Sequence, residues 1–147
     1  MESKASINIC DRVCESFGSA GDVDAYQTAP LTLAYIGDTI YDLYVRTYFI
    51  STTKHTVARL HSLAVRMVCA SAQAKAFSLI NDILTEKERC VFKRGKNTHS
   101  NVPKNADTAD YRIATGFEAL IGYLYLSGQD ERLSELLSVI FSNIKEM

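Results

Sequence analysis

Turn-forming residues are scarce in this sequence, which has two prolines and seven glycines among 147 residues and no tryptophan. A β-sandwich or barrel needs many tight turns, so this scarcity favours long helices and an all-α fold. No apolar run approaches the ~18 residues of a membrane span. The amino-terminal stretch carries Glu2, Asp11 and Glu15 and lacks the apolar core of a signal peptide. We therefore expect a cytoplasmic protein with no membrane partner.

Metal-binding and disulfide patterns are also missing. The four cysteines include no CxxC pair, and the three histidines do not complete a set of four closely spaced zinc ligands. Reduced cysteines that contribute to packing are the expectation. Cys10 and Cys14 are four residues apart and could share one helix face.

The composition is that of one folded domain, with 47% hydrophobic and 22% charged residues. We expect this domain at residues 28–147. Residues 1–27 are poorly patterned and form an extension, in which residues 5–16 are either a short helix or a frayed end.

Charge is distributed unevenly although the formal net charge is −1. Residues 1–30 hold five acids and two bases, whereas residues 43–104 hold eleven bases and three acids, a net charge of +8. This polarity is typical of a nucleic-acid-binding face. The alternative is an ordinary solvated surface on which the bases cluster by chance.

Apolar residues recur at helical spacing in four stretches, and none alternates as a strand does. Pro30 suits the first turn of an almost wholly apolar helix, which we expect to be central and buried. A second stripe runs from Leu60 to Phe77 behind a cap at Thr56. Thr85 to Glu88 form a capping box for a helix that Gly95 would end. A helix capped by Asp107 or Thr108 and a final amphipathic helix complete the fold.

Two carboxylates lie within apolar helical segments: Asp38 in AYIGDTIYDLY and Glu118 in ATGFEALIGYLYL. A buried carboxylate needs a partner. Gly37 next to Asp38, and glycines on both sides of Glu118, would let two helices cross closely and bring the acids together. Such a pair needs a divalent cation or a proton, which indicates an Mg²⁺ site for phosphodiester hydrolysis. The alternative is that each acid pairs with an arginine, such as Arg46 or Arg112. Asp42, one turn after Asp38, is a candidate third carboxylate, although we expect it to form a surface salt bridge.

The segment KRGKNTHSNVPKN, residues 93–105, contains four cations and no acid. Its Lys, Arg, Asn and His side chains suit phosphate and groove-edge contacts, and the lack of aromatics favours a duplex over a single strand. The candidate RNA-binding residues are Lys93, Arg94, Lys96, Asn97, His99 and Lys104, together with Arg66 outside the segment.

The segment LAYIGDTIYDLYVR resembles the signature helix of the ribonuclease III domain, and FEALIGYLYL resembles the second motif of that domain. HSLAVRMVCASAQA and the basic segment resemble the Mini-ribonuclease III branch, which lacks the double-stranded-RNA-binding domain. A chain of this length agrees with that branch. The resemblance covers residues 28–142.

The resemblance implies that Asp38 and Glu118 are the catalytic and metal-binding acids, with Gly37 and Thr115 in support. Further acids of full-length ribonuclease III correspond here to Leu31, Ala34 and Thr115. The Mini branch shares these replacements, so water and RNA phosphate are expected to complete more of the Mg²⁺ shell.

The activity implied is Mg²⁺-dependent cleavage of double-stranded RNA by a homodimer, with Mn²⁺ as a substitute metal and with 5′-phosphate and 3′-hydroxyl products. The resemblance also implies maturation of the ends of precursor 23S ribosomal RNA, with a ribosomal protein or pre-ribosomal particle as a further partner. One rival is a dimer of the same fold that binds structured RNA or ribosomes without cutting. Another is a helical dimer with no RNA role. Retention of both acids argues against the first, and the basic central segment against the second.

Overall fold

The computed structural model describes residues 7–19, 23–98 and 101–144, in which there is no β-strand. The described residues form seven α-helices and one 3₁₀ helix, Asn81–Ile83. The α-helices are α1 (Ile9–Glu15), α2 (Pro30–Thr52), α3 (Val57–Val68), α4 (Ala70–Ile80), α5 (Glu86–Lys96), α6 (Thr108–Leu126) and α7 (Asp130–Ser142). The expected all-α fold is confirmed.

The starts of the helices follow the capping residues in the sequence. Pro30 occupies the first turn of α2, and the Thr56 and Asp107 side chains accept hydrogen bonds from backbone N–H groups in α3 and α6. Thr85 and Glu88 form the expected capping box at α5. These local bonds satisfy N–H groups that have no partner within the helix.

Helix α6 is the centre of the molecule, with an almost continuous buried stretch from Ala114 to Tyr125. The expectation that α2 would be the buried central helix is wrong, because α2 buries one face against α6 and exposes the other. Tyr41 of α2 meets Phe117 of α6 edge to face, with ring centroids 5.0 Å apart. Helices α4, α5 and α7 pack around the remaining faces of α6.

Glycines set the distance between α2 and α6. A Cβ on Gly37 would overlap the carbonyl oxygen of Glu118, and a Cβ on Gly122 would overlap that of Leu33. The two backbones therefore touch directly, as the sequence predicted from its glycines. This contact places Asp38 next to Glu118.

Two local expectations are wrong. The stripe from Leu60 to Phe77 belongs to two helices, because the backbone of Cys69 is extended and separates α3 from α4. Gly95 lies inside α5 rather than after it, and a Cβ there would lie 2.9 Å from the Cα of Gly116. Its role is close packing of α5 against α6.

Among the described helices, none is both long and apolar enough to cross a membrane alone. Helix α3 and the segment formed by α4 and the following 3₁₀ turn reach that length and apolar character only when they are taken together, and they are bent by 61° relative to each other.

The amino-terminal helix α1 packs on the ends of α6 and α7. The N–H of Ile9 donates to the carboxylate of Asp130 at 2.9 Å, and Cys10 is buried. Cys10 and half-buried Cys14 share the inner face of α1, as expected, whereas Cys69 and Cys90 are exposed, so the packing role predicted for them is wrong. The domain boundary at residue 28 stays a prediction.

One buried ion pair connects α5 with α7. Arg132 binds both carboxylate oxygens of Glu88 at 2.9 Å and also donates to the carbonyl of Ile83 at 2.7 Å. Burial alone would raise the pKa of Glu88, but these bonds and the N–H of Thr85 outweigh it and lower the pKa. The charge of Glu88 therefore has the partners that a buried carboxylate needs.

Candidate active site

The α2–α6 crossing forms a small pocket of about 200 Å³ that contains both predicted acids. Asp38 is exposed and Glu118 is half-buried. The residues that line the pocket recur at three- and four-residue spacing along the two helices: Leu31, Ala34, Tyr35 and Asp38 from α2, and Tyr111, Thr115 and Glu118 from α6. The sequence prediction that the crossing unites Asp38 with Glu118 is confirmed as geometry.

In the absence of a cation, Glu118 holds its proton more tightly than an ordinary carboxyl group does. Burial is the main cause that raises the pKa of Glu118 to about 8, and the charge of Asp38 and a hydrogen bond with it add to the effect. Within the described residues, neither acid forms an ion pair with an arginine. Arg46 binds Asp42 instead, at 2.8 Å, so the surface salt bridge expected for Asp42 is confirmed.

The donor set of this pocket fits a hard divalent cation. Two carboxylates offer oxygen ligands, which Mg²⁺ prefers, and Mg²⁺ commonly keeps several water ligands besides one or two carboxylates. Across the described residues, no cluster of three or more His, Cys, Asp or Glu side chains could hold a metal. The Thr115 hydroxyl donates to the carbonyl of Tyr111 at 3.0 Å. Thr115 is therefore held beside the acids without a charge of its own.

The predicted RNA-binding cations begin on the last turn of α5. Lys93 and Lys96 are exposed there, and Asn97 is the exposed C-cap. Lys104 is exposed in the following loop. His99 lies outside the described residues.

Arg94 has structural contacts that set it apart from its neighbours. Its guanidinium donates to the carbonyls of Tyr26 at 2.6 Å and Thr28 at 3.3 Å, and lies 5.4 Å from the centre of the Tyr26 ring. Arg94 thus holds the segment before α2 against α5. Its availability for phosphate is correspondingly reduced.

The basic end of α5 lies beside the acidic pocket. A Cβ on Gly95 would lie 3.2 Å from the carbonyl oxygen of Thr115 and 2.8 Å from the Cβ of Ala119. These two residues flank Glu118 on α6. Arg66 is exposed on α3, which packs against α2 and α4, so it belongs to a different surface element.

Two tyrosines in the pocket were not among the predicted site residues. Tyr111 precedes Thr115 and Glu118 by four and seven residues, and Tyr35 stands four residues after Leu31 and three before Asp38. The signal that could have identified them is helical spacing from the acids, because residues at i, i+4 and i+7 share a helix face.

Comparison with known proteins assigns the class. Residues 31–129 match the family model of the ribonuclease III domain, so the chain belongs to the ribonuclease III family. Members of this family are generally Mg²⁺-dependent, and dimers are typical of it.

Among named relatives, the chain is similar to Mini-ribonuclease 3 of Clostridium tetani, with 49% identity over 125 residues, 84% of this chain and 83% of that protein. It is 44% identical over 126 residues to Mini-ribonuclease 3 of Enterococcus faecalis, covering 84% of this chain and 96% of that one. The crystal structure of protein FN1578 from Fusobacterium nucleatum matches with a TM-score of 0.73 at 26% identity and covers 80% of this chain and 94% of that chain.

Proposed function

We propose that this protein is a Mg²⁺-dependent endoribonuclease that cleaves double-stranded RNA. The observation that carries the proposal is the carboxylate pair, Asp38 and Glu118, at the α2–α6 crossing of a ribonuclease III domain. Burial, and after it the charge of Asp38 and a hydrogen bond with it, raises the pKa of Glu118 to about 8, an effect that a bound cation would oppose. A protein that only binds RNA gains nothing from acids that repel phosphate.

Asp38 and Glu118 are the residues that would hold the metal. Bound Mg²⁺ supplies activation of the attacking water and stabilisation of the negative charge that develops on the phosphate. The half-buried position of Glu118 limits its exposure to water and strengthens its electrostatic interactions. The close packing at Gly37 and Gly122 keeps the two acids at a constant separation.

Duplex binding is assigned to the exposed cations at the end of α5 and in the loop that follows. Lys93, Lys96 and Lys104 are exposed, and α5 contacts α6 in the turn next to Glu118. A duplex bound there is proposed to reach the acidic pocket. Arg66 on α3 is proposed as a second contact.

The active form is proposed to be a homodimer. The exposed face of α2 carries four large apolar side chains, Leu31, Tyr35, Leu43 and Ile50, with exposures of 44%, 78%, 53% and 66%. Such an apolar content is more typical of a subunit interface than of a free surface. Two copies joined along this face would present two acidic pockets, one for each RNA strand.

We expect sedimentation of the protein at micromolar concentration to give the mass of a dimer. Tyr35→Glu should shift the protein towards the monomer, because it places a charge among the exposed apolar side chains of α2. The matched control is Lys75→Glu on α4, an exposed position on a different helix. A monomer in the parent protein would contradict the assignment.

The proposed biological substrate is precursor 23S ribosomal RNA, whose ends the enzyme trims in the cytoplasm, with a ribosomal protein or pre-ribosomal particle as a further partner. The similarity to Mini-ribonuclease 3 proteins supports this role. Mn²⁺ is proposed to support cleavage when it is supplied in place of Mg²⁺.

The test of the main proposal is incubation of a perfect RNA duplex with the protein and Mg²⁺. We expect cuts in both strands that leave 5′-phosphate and 3′-hydroxyl ends, and no cutting when the metal is chelated. Tight duplex binding without any cleavage would instead support a non-catalytic RNA-binding dimer. If the protein neither binds nor cleaves the duplex, the proposed function is wrong and only the fold of the family is retained.

The lysines near the pocket should control duplex affinity. We expect the triple variant Lys93→Ala, Lys96→Ala and Lys104→Ala to bind duplex more weakly and to reduce the salt slope of binding by about one for each contacting lysine. The rate at saturating RNA should change little, because Asp38 and Glu118 remain. Arg94 is left unchanged because its loss would disturb the contacts with Tyr26 and Thr28.

A matched variant removes three cations elsewhere: Arg59→Ala, Arg66→Ala and Lys75→Ala on α3 and α4. If this variant loses more of the salt slope than the lysine variant does, the main RNA path runs along α3. Equal affinity and slope in the parent and the lysine variant would contradict the assignment to α5.

A further inference from the structure

Among the described residues that line the acidic pocket there is no lysine, arginine or histidine, although a phosphodiester must approach it. Of its seven lining residues, two are carboxylic acids, two are aliphatic, and the others are Thr115 and two tyrosines. The Thr115 hydroxyl proton is already used by the carbonyl of Tyr111. The hydroxyls of Tyr35 and Tyr111 are therefore the only side-chain donors left to the substrate in the described part of the pocket.

The two tyrosines are held differently. Tyr35 is 78% exposed on the outer face of α2. Tyr111 is half-buried and shares a face of α6 with Thr115 and Glu118. Its backbone is further tied by the bond from Thr115. In the described residues its phenol has no hydrogen-bond partner, so a defined donor is left over beside the acid pair.

A neutral hydroxyl is well suited to this position. A lysine or arginine there would form an ion pair with Asp38 or Glu118 and occupy the oxygens that a metal needs. A tyrosine hydroxyl can donate to a phosphate oxygen without competing for the carboxylates. A hydrogen bond to a charged acceptor is also stronger than one to a neutral acceptor.

We propose that the Tyr111 hydroxyl donates a hydrogen bond to a non-bridging oxygen of the scissile phosphate and so positions it against the acid pair. The inference rests on the proposed function, because it names a substrate contact for that same site. Tyr111 thereby contributes the donor that the acidic residues cannot supply.

The first test compares Tyr111→Phe, which removes a single hydroxyl from the pocket, with Tyr44→Phe, which removes one from a half-buried position of α2 outside the pocket. We expect Tyr111→Phe to lower kcat/KM for duplex cleavage by about ten- to a hundredfold, the effect of losing one hydrogen bond to a charged group. Tyr44→Phe should remain close to the parent. The melting temperature and the dimer mass should be the same in all three proteins.

The second test separates contact with phosphate from a merely structural role. Sulfur replaces one non-bridging oxygen of the scissile phosphate, and each diastereomer is assayed with the parent and with Tyr111→Phe. Because sulfur is the poorer acceptor, one diastereomer should slow the parent more than it slows the variant. If sulfur slows the parent and Tyr111→Phe by the same factor for both diastereomers, the proposal is overturned. Parent-like cleavage by Tyr111→Phe would also overturn it. A parent that binds duplex but does not cut it would remove the proposed function, and this inference with it.

Discussion

Asp38→Asn and Glu118→Gln are each expected to abolish duplex cleavage. We expect the rate at saturating RNA to fall by at least about a thousandfold, because each change removes one of the two carboxylates that are proposed to hold the metal and that line the described part of the pocket. Duplex affinity should be retained, since the cations of α5 are unchanged. Single-turnover cleavage and filter binding on the same RNA measure the two effects separately.

Stability provides the control for these variants. The pKa of Glu118 is raised to about 8 from 4.5, so between those values the metal-free folded protein keeps a proton that the unfolded chain has lost. The parent therefore loses stability as the pH rises from about 4.5 to about 8. Glu118→Gln has no such proton, and its melting temperature should exceed the parent's by more at pH 8 than at pH 5. Near-parent turnover by either variant would show that the catalytic assignment is wrong.

Gly37→Ala is expected to destabilise the fold by at least about 3 kcal/mol. The added Cβ would overlap the carbonyl oxygen of Glu118 and lie 2.8 Å from the backbone nitrogen of Gly122. Both neighbours are backbone atoms of α6, which cannot move without separating the helices. Urea denaturation followed by circular dichroism measures the loss, and cleavage should fall with it because the two acids move apart.

The sign of this effect distinguishes packing from helix propensity. Alanine favours a helix over glycine by about 1 kcal/mol, so propensity alone predicts that Gly37→Ala is stabilising. Thr39→Ala, at an exposed position of the same helix, is the matched control and should be neutral or slightly stabilising. A stabilised Gly37→Ala protein would show that α2 and α6 are not in backbone contact.

Local features of the fold were predictable because their signals lie within a few residues of one another. Thr56, Thr85 and Asp107 cap helices where their side chains can reach N–H groups two or three residues ahead. The break at Cys69 was not predictable, since neither proline nor glycine marks it. Gly95 was mistaken for a helix end because a packing glycine and a capping glycine look alike in sequence.

In the candidate site, too, some features were predictable from the sequence and others were not. The acids and glycines of the two motifs predicted that Asp38 and Glu118 would meet. Exposure was less predictable: a carboxylate within an apolar segment suggested burial, yet Asp38 is exposed on the open face of α2. Arg94 lies among the basic residues of its segment, but its contacts with Tyr26 and Thr28 involve residues more than 60 positions away.

The sequence by itself therefore determined the helical class, the helix starts and the two acids of the site, because periodicity, caps and motif residues act over short distances along the chain. Only the tertiary structure decided that α6 rather than α2 is central and that Arg94 supports the fold. It also decided that Tyr111 lies in the same pocket as the two acids, with a hydroxyl that has no hydrogen-bond partner in the described residues. These outcomes depend on which helix faces meet and which backbones touch. That choice is made by packing between residues far apart in sequence, such as Gly37 and Gly122.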